Sequence, residues 1–328
     1  MLENDTKPVA DVPNDCWVIT DGAAGNERQA LALAQALGLS ARNLVLPLRA
    51  PWSWLAPRRL PGGRLAVAAA HRHLLMPPWP TLAIGCGRAA ALLTRLLPDI
   101  SSGATRSVQI LDPRIDPRHW DVVIAPEHDD LTGPNVLTPL GSLHPIDDAW
   151  LAAGRAAFAH LGERPGPRLG VLLGGPRRGA TLDDAQIDRL IDSLRTRQAR
   201  DGGSVLLLAS RRTPDAWFGR MRAALGALPG LFWRNADDGP NPYPGVLGWA
   251  DRLIVTPDSV NMLSEAAATG VPVHTPALDT LPPKLAHFHA ALRRRGLLHD
   301  LDDDADAPAA PLRETAAIAA ELRRRLGF

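Results

Sequence analysis

The sequence predicts an α/β fold in two similar halves, each built on a parallel sheet. Two observations support this prediction. Short apolar runs alternate with loops or segments of helical periodicity from Trp17 to about Val136, and again from Leu169 to Thr275, as parallel sheets require. Residues 250–275 read without interruption as strand, polar turn, helix, glycine stop and strand. The 328 residues are enough for two domains of ordinary size, each with its own core.

The first half is expected to follow the order strand, loop and helix several times. In chain order we expect a strand at Trp17–Thr20, a helix from Glu27 to about Leu37, a strand at Leu44–Leu48, one helix around Gly63–Leu75, a strand before Gly87 with a helix after it, and strands that end near Asp112 and Glu127. The stretch 51–80 is rich in proline and tryptophan and is the hardest part to assign. The pattern changes around 141–167, where we place the domain junction.

The second half is expected to repeat this architecture. In chain order we expect a strand at Leu169–Leu173, a helix near Asp183–Arg197, the strand SVLLLAS, a helix near Asp215–Ala227, the short strand LFWRN, a loop to Gly248 and the segment 250–275. The predicted domains are a disordered or extended N-terminus (1–15), an N-terminal Rossmann-like domain (16–145), an interdomain helix and linker (146–165), a C-terminal Rossmann-like domain (166–300), and a linker with a terminal helix (301–328).

The segment 250–275 has the features of an anion site at a helix start. Its first strand leads to Asp258 and Ser259, which can cap the following helix and leave backbone N–H groups for an anion. Glu265 lies further along that helix, and Gly270 ends it before the next strand. Glu265 could therefore reach the hydroxyl groups of a ligand. An ordinary, well-capped βαβ unit is the alternative interpretation.

Two glycine-containing loops also join a strand to a helix. The loops Asp21–Asn26 and Gly174–Gly179 allow close approach of a ligand to the backbone, and the helix start that follows favours negative charge. Such a loop alone is a weak signal, because many α/β proteins use it only to begin a helix. In the second loop, Arg177 and Arg178 could contact a phosphate or could simply be solvated.

Further polar residues follow strands of both halves. Ser210, Arg211 and Arg212 follow the second strand of the C-terminal half at its carboxyl end, the edge where open α/β sheets bind ligands. We favour a phosphate contact there over solvated arginines. Asn241 and Tyr243, the only tyrosine of the chain, could hold a base or form a turn.

One carboxylate lies beside an imidazole in the first half. Glu127, His128 and Asp129 end a strand and offer an acid-base pairing, although a solvated loop would look the same. His144 near the junction is open to the same two interpretations. The chain has no HExxH or CxxC motif, and Asp302–Asp304 lie in a linker-like run, so we expect chemistry that is independent of metal ions.

Composition limits the partners and the compartment. The net charge is +1, and all 36 basic residues except Lys7 and Lys284 are arginine, spread among 35 acids without a basic stripe. We therefore do not expect nucleic acid as a partner. The chain has no apolar run of membrane-spanning length and no signal-peptide core, so we expect a cytoplasmic protein. Cys16 and Cys86 should be buried, unbonded thiols in neighbouring strands.

Several motifs together resemble a known family. WVITDGAAGNERQALALAQALG, VLLGGP, SRRTP, NPY and TPDSVNMLSEAAATGVPV, in this order, are similar to the bacterial branch of the elongated-mitochondria (mitochondrial fission) protein family. That family is related to GT-B glycosyltransferases such as the lipid-linked GlcNAc transferase of peptidoglycan synthesis. The segment 250–275 also resembles the donor-nucleotide segment of that transferase and of UDP-GlcNAc 2-epimerases. The resemblance implies a GT-B-like α/β fold with two Rossmann-like domains facing across a cleft.

The resemblance also implies roles for particular residues. Asp258 and Ser259 would lie near the donor diphosphate and Glu265 would bind the ribose. The loop histidine of the peptidoglycan enzyme is matched here by Asn26, which cannot act as a base, and Asp21 is the nearest carboxylate that could replace it. The candidate catalytic residues are Asp21, Glu127 and His128, and the candidate ligand-binding residues are Gly22, Gly25, Asn26, Gly174, Gly175, Arg177, Ser210, Arg211, Arg212, Asn241, Tyr243, Asp258, Ser259 and Glu265.

The favoured function is a metal-independent glycosyltransferase that uses a nucleoside-diphosphate sugar as substrate and needs no other cofactor. A nucleoside-diphosphate-sugar epimerase of the same fold and a non-catalytic adaptor are the alternatives. The acceptor is left open, with a lipid-linked or membrane-associated molecule as one candidate. The segment PWSWLAPRR, which includes Trp52, Trp54, Arg58 and Arg59, could make a weak peripheral contact at the inner face of the cytoplasmic membrane, or pack as a loop on its own domain.

Overall fold

The computed structural model describes residues 16–278, 280–304 and 307–327. The expected extended N-terminus (1–15) and two residues of the expected linker (305–306) lie outside the described residues. Contacts divide the chain into two compact units. Unit 1 holds the described residues up to Ala125, Leu131–Leu137 and the chain from Ala319, and unit 2 holds Pro126–Asp130 and Thr138–Ile318. The domain boundaries expected from the sequence, 16–145 and 166–300, stay a prediction.

Unit 1 is built on a parallel sheet. Its elements are β1 (Cys16–Thr20), α1 (Ala24–Ala36), β2 (Ala41–Val45), α2 (Trp52–Leu55), β3 (Leu82–Cys86), α3 (Arg88–Ile100), β4 (Arg106–Ile110), β5 (Val122–Ile124) and β6 (Val136–Leu137). Its six described strands are ordered β2-β1-β3-β4-β5-β6, and every pair is parallel. The strand order reverses direction between β1 and β3, so ligands are expected outside the carboxyl ends of these two strands.

The strands at the centre of unit 1 are apolar because both faces of the sheet are covered. All five residues of β1 and all five of β3 are buried, as parallel sheets with helices on both faces require. Cys16 and Cys86 lie in these adjacent strands as buried thiols without a disulfide, which confirms the expectation from the sequence. Burial, and next the nearby charge of Asp21, raise the pKa of Cys86, so this thiol stays protonated.

Unit 2 repeats the architecture. Its elements are α4 (Asp148–Ala157), β7 (Arg168–Leu173), α5 (Asp184–Asp201), β8 (Ser204–Ala209), α6 (Asp215–Leu225), β9 (Gly230–Trp233), α7 (Tyr243–Trp249), β10 (Arg252–Val255), α8 (Val260–Ala267), β11 (Val273–Thr275), α9 (Pro283–Arg294) and β12 (His299–Asp300). The described strands form a parallel six-stranded sheet ordered β12-β11-β10-β7-β8-β9. Two parallel α/β sheets confirm the predicted fold class. The strand order of unit 2 reverses between β7 and β10.

Side chains alternate between the two faces of the unit 2 sheet, and each face has its own apolar core. Leu172 and Leu253 belong to the core formed with helices α4, α7, α8 and α9. Val171 and Ile254, their neighbours in sequence, belong to the core formed with α5 and α6. Unit 2 therefore has three layers, with helices on both faces of the sheet. The two faces leave only the strand ends available for polar ligands.

Two helix starts in unit 2 follow capping rules. At α5, the Asp183 side chain accepts from the Gln186 N–H (2.7 Å) and the Gln186 side chain accepts from the Asp183 N–H (2.8 Å), which forms a capping box. At α8, Ser259 is the N-cap, and its hydroxyl accepts from the Met262 N–H (3.3 Å). The helix predicted after Ser259 is thus confirmed, together with its cap.

The structure differs from the sequence-based elements in several places. β2 begins three residues before the expected start because Ala41 pairs with Cys16. The helix expected around Gly63–Leu75 is two short 3₁₀ helices, Gly63–Ala66 and Ala69–Leu75. Val67 is extended between them because it pairs with Leu48, and such pairing is incompatible with a continuous helix.

Two helices of unit 2 were not predicted from the sequence. Helix α7 occupies the last part of the expected loop before Gly248, and α9 follows β11 in a stretch for which no element was predicted. The final helix α10 (Thr315–Leu326) lies within the segment 301–328, for which a linker and a terminal helix were predicted. Its residues from Ala319 belong to unit 1, where Arg323 Nη2 donates to the Leu37 carbonyl at the end of α1 (2.6 Å).

Candidate functional site

Three loops meet at the carboxyl edge of the unit 2 sheet. They follow β7 (Gly174 and Gly175), β8 (Ser210–Thr213) and β10 (Thr256–Ser259), three strands that are neighbours in the sheet order. The first and third of these loops flank the point where the strand order reverses. Open α/β sheets bind ligands at this position. The loops carry five of the residues predicted from 250–275 and SRRTP, together with the glycine pair.

Asp258 connects all three loops. Its Oδ2 accepts from the Gly175 N–H (3.2 Å) and from Arg212 Nη2 (2.6 Å), and its Oδ1 accepts from the Thr256 hydroxyl (2.7 Å). The side chain is only 6% exposed, so its charge depends on these donors. Asp258 therefore holds the site together, and its contact with a diphosphate stays a prediction.

The two glycines after β7 are required by close approach. A Cβ on Gly174 would lie 2.2 Å from Asp258 Oδ1, and a Cβ on Gly175 would lie 2.0 Å from the Arg212 carbonyl oxygen. The Gly174 N–H donates to the Thr256 hydroxyl (2.7 Å), which fixes the backbone at the same point. The glycines thus allow three loops to pack without side chains between them.

The arginine loop after β8 is held by hydrogen bonds, but its two arginines remain exposed to solvent. Arg212 donates to Asp258 and, through Nη1, to the Gly175 carbonyl (3.2 Å), while its side chain remains 45% exposed. Ser210 accepts from the Arg212 N–H (3.2 Å), and its own N–H donates to the Thr213 hydroxyl (2.8 Å). Arg211 is exposed beside them. One guanidinium is therefore used in the protein and a second is presented to solvent.

Glu265 is a buried carboxylate paired with a phenol. It is 2% exposed, and its Oε2 accepts a hydrogen bond from the Tyr243 hydroxyl. Tyr243 begins α7, and its N–H donates to the Asn241 side chain (3.0 Å), so these two predicted residues form one turn. The structure thus brings Glu265 together with Asn241 and Tyr243, although Glu265 lies 22 residues after Tyr243 in the chain.

His144 has a structural position in unit 2. Its Nδ1 accepts from the Ile146 N–H (3.3 Å), and its Nε2 lies 3.0 Å from the Leu312 carbonyl, which assigns the proton to Nε2. Burial lowers the pKa of His144, while the Glu265 charge acts in the opposite direction. Both ring nitrogens are used by the backbone, so this histidine is not a candidate for proton transfer.

The carboxylate and imidazole predicted at the end of a strand belong to unit 2. Glu127, His128 and Asp129 form a 3₁₀ turn that packs on α9. Arg295 Nη2 donates to Glu127 (2.9 Å), Lys284 Nζ donates to Asp129 (2.8 Å), and the His128 ring lies 5.2 Å from the Phe288 ring. These contacts are the reason that the turn groups with unit 2.

His128 is a neutral base at physiological pH. Burial is the main cause that lowers its pKa, and the charges of Lys284, His287 and Arg177 act in the same direction, against the charge of Asp129. Its Nδ1 is buried without a hydrogen-bond partner in the described part of the chain.

The predicted loop of unit 1 lies at that unit's own point of strand reversal. Asp21 Oδ1 accepts from the Ala23 N–H (3.1 Å) and from the Asn26 amide (3.4 Å). Gly22 and Asp21 are exposed, while Gly25 lies in the first turn of α1. The Asn26 amide packs so closely on the loop after β3 that a Cβ on Gly87 would lie 2.5 Å from it. Asp21 and Asn26 are thus held together as one polar pair.

The segment proposed for membrane contact is partly packed and partly exposed. Trp54 is 72% exposed and Leu55 is 41% exposed, whereas Trp52 packs on a small core cluster and Arg59 forms an ion pair with Asp99. A peripheral membrane contact stays a prediction. Within the described ranges, no helix has the length and hydropathy needed to cross a membrane.

The same described residues contain no cluster of three or more His, Cys, Asp or Glu suited to a metal ion. Metal-independent chemistry stays a prediction.

Sequence reasoning missed some residues that shape the site. Thr256 and Thr213 accept hydrogen bonds from loop N–H groups, and His289 of α9 lies 2.9 Å through Nε2 from the Pro257 carbonyl. A threonine directly after a buried strand is a usable signal for such a role. His289 had no comparable signal, because its contact joins residues 32 positions apart in a helix that was not predicted.

Mild acid is expected to destabilise unit 2. Burial lowers the pKa of His274 and of His289 from 6.5 to about 4, so both are neutral in the folded state while the unfolded chain already binds protons. Unfolding therefore takes up protons between these values, and the free energy of unfolding should fall as the pH falls below about 6.5. Denaturant titrations from pH 7 to pH 5 measure this loss.

His289→Gln provides the matched variant for this pH dependence. The variant should show a smaller change in stability between pH 7 and pH 5 than the wild type, since one of the groups that take up a proton on unfolding is gone. A wild-type stability that does not change over this range would contradict the assignment.

Comparisons with known proteins place the chain among sequence relatives. The family model "Mitochondrial fission ELM1" matches residues 24–326. The "Mitochondrial fission protein ELM1" of Arabidopsis thaliana is 32% identical over 284 residues, which cover 75% of this chain and 64% of that protein. The chain therefore spans less than two thirds of the plant protein. An uncharacterized protein of Rickettsia prowazekii, RP120, is 26% identical over 79% of this chain and 82% of its own length.

Solved structures share the fold at low sequence identity. UDP-GlcNAc 2-epimerase from Methanocaldococcus jannaschii has a TM-score of 0.57 at 10% identity, covering 95% of this chain and 99% of that chain. Its structure in complex with UDP-GlcNAc and UDP has a TM-score of 0.51 at 11% identity, covering 94% and 99%. Os79 from O. sativa in complex with UDP has a TM-score of 0.52 at 12% identity, covering 95% and 94%. These likenesses support the GT-B-like fold of the chain.

Proposed function

Because this chain belongs to the mitochondrial fission ELM1 family and has a GT-B-like fold, we propose that unit 2 binds a nucleoside-diphosphate sugar at the carboxyl edge of its sheet. The observation that carries the proposal is the meeting of the glycine, arginine and Asp258 loops at the point of strand reversal. The structural relatives solved in complex with UDP-GlcNAc or UDP support the choice of ligand class.

The proposed ligand position follows from charge. The diphosphate lies at the start of α8 beside Ser259, where the helix dipole favours an anion, and Arg211 and Arg212 supply positive charge. Arg212 also neutralises Asp258, so the buried carboxylate does not repel the ligand. Gly174 and Gly175 allow the diphosphate to approach the backbone.

The nucleoside end of the ligand is assigned to Asn241, Tyr243 and Glu265, which lie together in unit 2. Glu265 accepts hydrogen bonds from the ribose hydroxyls, in competition with or in addition to the Tyr243 hydroxyl. Asn241 and Tyr243, at the turn that begins α7, are assigned to the base. A carboxylate acceptor makes a charge-assisted hydrogen bond to a hydroxyl, which is stronger than a neutral one.

The proposed reaction is metal-independent glycosyl transfer. The acceptor oxygen attacks the anomeric carbon, the bond from that carbon to the diphosphate breaks, and the acceptor proton passes to a base. Charge that develops on the departing diphosphate is stabilised by the N–H groups at the helix start and by arginine. Asp21, Glu127 and His128 are the candidate bases, and the neutral imidazole of His128 has the appropriate protonation state. The proposed acceptor is lipid-linked or membrane-associated, and the proposed compartment is the cytoplasm.

Two other functions are favoured by specific observations. The likeness to a UDP-GlcNAc 2-epimerase favours a nucleoside-diphosphate-sugar epimerase, which would convert the sugar without any acceptor. Asn26, which cannot act as a base, and the family description favour an adaptor that keeps the fold without turnover. Product analysis after incubation with a bound sugar nucleotide distinguishes the three, because only the transferase needs an acceptor and the adaptor leaves the nucleotide unchanged.

A thermal-shift screen with nucleoside-diphosphate sugars, including UDP-GlcNAc, tests the binding proposal. A ligand at about 100 times its dissociation constant should stabilise the wild-type protein by about 2.7 kcal/mol. Ser259→Ala should reduce this stabilisation because it removes the helix cap beside the diphosphate. The donor-site proposal fails if no member of the panel raises the melting temperature of the wild type.

Glu265→Gln is expected to weaken binding of the sugar nucleotide about tenfold. The substitution keeps the shape of the side chain but removes the charge that strengthens the hydrogen bond to a ribose hydroxyl, a difference of about 1.4 kcal/mol between a charged and a neutral acceptor. Titration calorimetry with UDP-GlcNAc measures the dissociation constant. Glu163→Gln, which changes an exposed glutamate of the same unit, is the control and should leave it unchanged.

A further inference from the structure

A cavity lies at the amino edge of the unit 2 sheet, away from the proposed donor site. It has a volume of about 310 Å³ and is lined by residues at the starts of β7, β8 and β10 and at the end of α5. This volume is at the lower end of the range for small-molecule sites. The six-residue strand β7 separates this edge from the glycine loop by roughly 17 Å. The cavity is therefore a different site from the one described above.

Arg197 is a buried cation in the wall of this cavity. It is 6% exposed, and its Nη2 donates to the carbonyl oxygens of Leu301 (2.5 Å) and Asp303 (2.7 Å). Its Nη1 is buried and has no hydrogen-bond partner in the described part of the chain. Burial lowers the pKa of Arg197 and the charge of Arg200 acts in the same direction, against the charges of Asp304, Asp302 and Asp201. A buried guanidinium N–H without an acceptor is costly, and an anionic oxygen beside it would supply that acceptor.

The carboxylates that line the cavity are already engaged by other cations. Asp251 accepts from the backbone N–H of Arg168 (2.7 Å) and forms an ion pair with its guanidinium (3.4 Å). Asp201 accepts two hydrogen bonds from Arg200 (2.7 and 3.0 Å). Arg252 is a further cation of the lining. The lining thus holds three arginines, Arg168, Arg197 and Arg252, and two aspartates, Asp201 and Asp251.

One wall of the cavity is apolar. Pro167, Leu169 and Val205 belong to the lining, next to the arginines. An apolar wall beside a guanidinium matches a ligand that has an anionic head and a compact apolar body. We propose that the cavity binds a small organic oxyanion, with its phosphate or carboxylate group beside Arg197 and its body against this wall.

Titration calorimetry with phenyl phosphate, benzoate and phenol tests the proposal and separates the two head groups. Phenyl phosphate or benzoate should bind the full chain with a dissociation constant of about 1 mM or tighter, and phenol should bind at least about tenfold more weakly. The tighter of the two anions identifies the head group. Saturating UDP-GlcNAc should leave the dissociation constant unchanged, since the donor site lies at the other edge of the sheet.

Substitutions in the lining locate the bound anion. Arg197→Gln should weaken binding by more than about tenfold. Since this buried residue also holds two backbone carbonyls, the half-buried Gln198 provides a second pair of variants that keeps them. Gln198→Glu should weaken and Gln198→Lys should tighten binding, each by about fivefold.

Three results would overturn the proposal. The first is that neither anion binds to the wild type more tightly than phenol. The second is that UDP-GlcNAc displaces the anion, which would place the probe in the donor site. The third is that both Gln198 variants bind the anion with the affinity of the wild type.

Discussion

Gly175→Ala is expected to lower the free energy of unfolding by about 3 kcal/mol and to abolish sugar-nucleotide binding. The added Cβ would lie 2.0 Å from the Arg212 carbonyl oxygen, and this backbone atom cannot move without displacing the loop after β8. The hydrogen bond from the Gly175 N–H to Asp258 would be lost with it. Denaturant titration and UDP-GlcNAc calorimetry measure the two effects.

Gly219→Ala is the matched control for this substitution. Gly219 lies inside α6, and a Cβ at this position would meet nothing within 4 Å. Alanine is favoured over glycine inside a helix by about 0.5–1 kcal/mol, so this variant should be slightly stabilised and should bind as the wild type does. Equal stabilities of the two variants would contradict the packing of the three loops.

Asp258→Ala is expected to destabilise the protein by about 3–5 kcal/mol. The substitution removes the carboxylate that accepts from the Gly175 N–H, which is buried, and from the Arg212 guanidinium, which is partly buried. The Arg212 guanidinium would then keep its hydrogen bond to the Gly175 carbonyl but lose its ion pair, so its position would be less fixed and sugar-nucleotide binding should weaken as well. Chemical denaturation gives the first quantity, and calorimetry on the folded variant gives the second.

Asp184→Ala is the control for a surface ion pair. Asp184 pairs with Arg220, but its side chain is 86% exposed, so removal of the pair should change stability by less than about 1 kcal/mol. If Asp258→Ala proved as mild as Asp184→Ala, the buried Asp258 network would not hold the loops together.

The sheets and their loops could be predicted from local sequence. Buried parallel strands such as β7 and β10 are continuous apolar runs, and glycine, serine and aspartate at their ends indicate the loops. The capping of α8 by Ser259 follows from the same local rules. These signals depend on residues only a few positions apart, which is why they were recognised.

Contacts between distant residues could not be predicted in this way. Asp258 was expected to face a ligand, but its position is set by Gly175 and Arg212, which lie 83 and 46 residues away in the chain. The turn at Glu127 was assigned to the first half because its strand belongs there. Its contacts with Arg295, 168 residues away, group it with unit 2. Such pairings depend on the packing of helix α9, for which no local pattern was recognised.

Amide hydrogen exchange with and without saturating UDP-GlcNAc is the most direct test of the proposed donor site. The proposal predicts slower exchange in peptides that cover 174–179, 210–213 and 256–262, the three loops at the carboxyl edge of the unit 2 sheet. Peptides with Asn241, Tyr243 and Glu265, the proposed nucleoside contacts, should also exchange more slowly. Exchange in the rest of unit 2, including the amino edge around 197–205, should change little. Unchanged exchange in all three loops, or protection confined to other parts of the chain, would contradict the proposal.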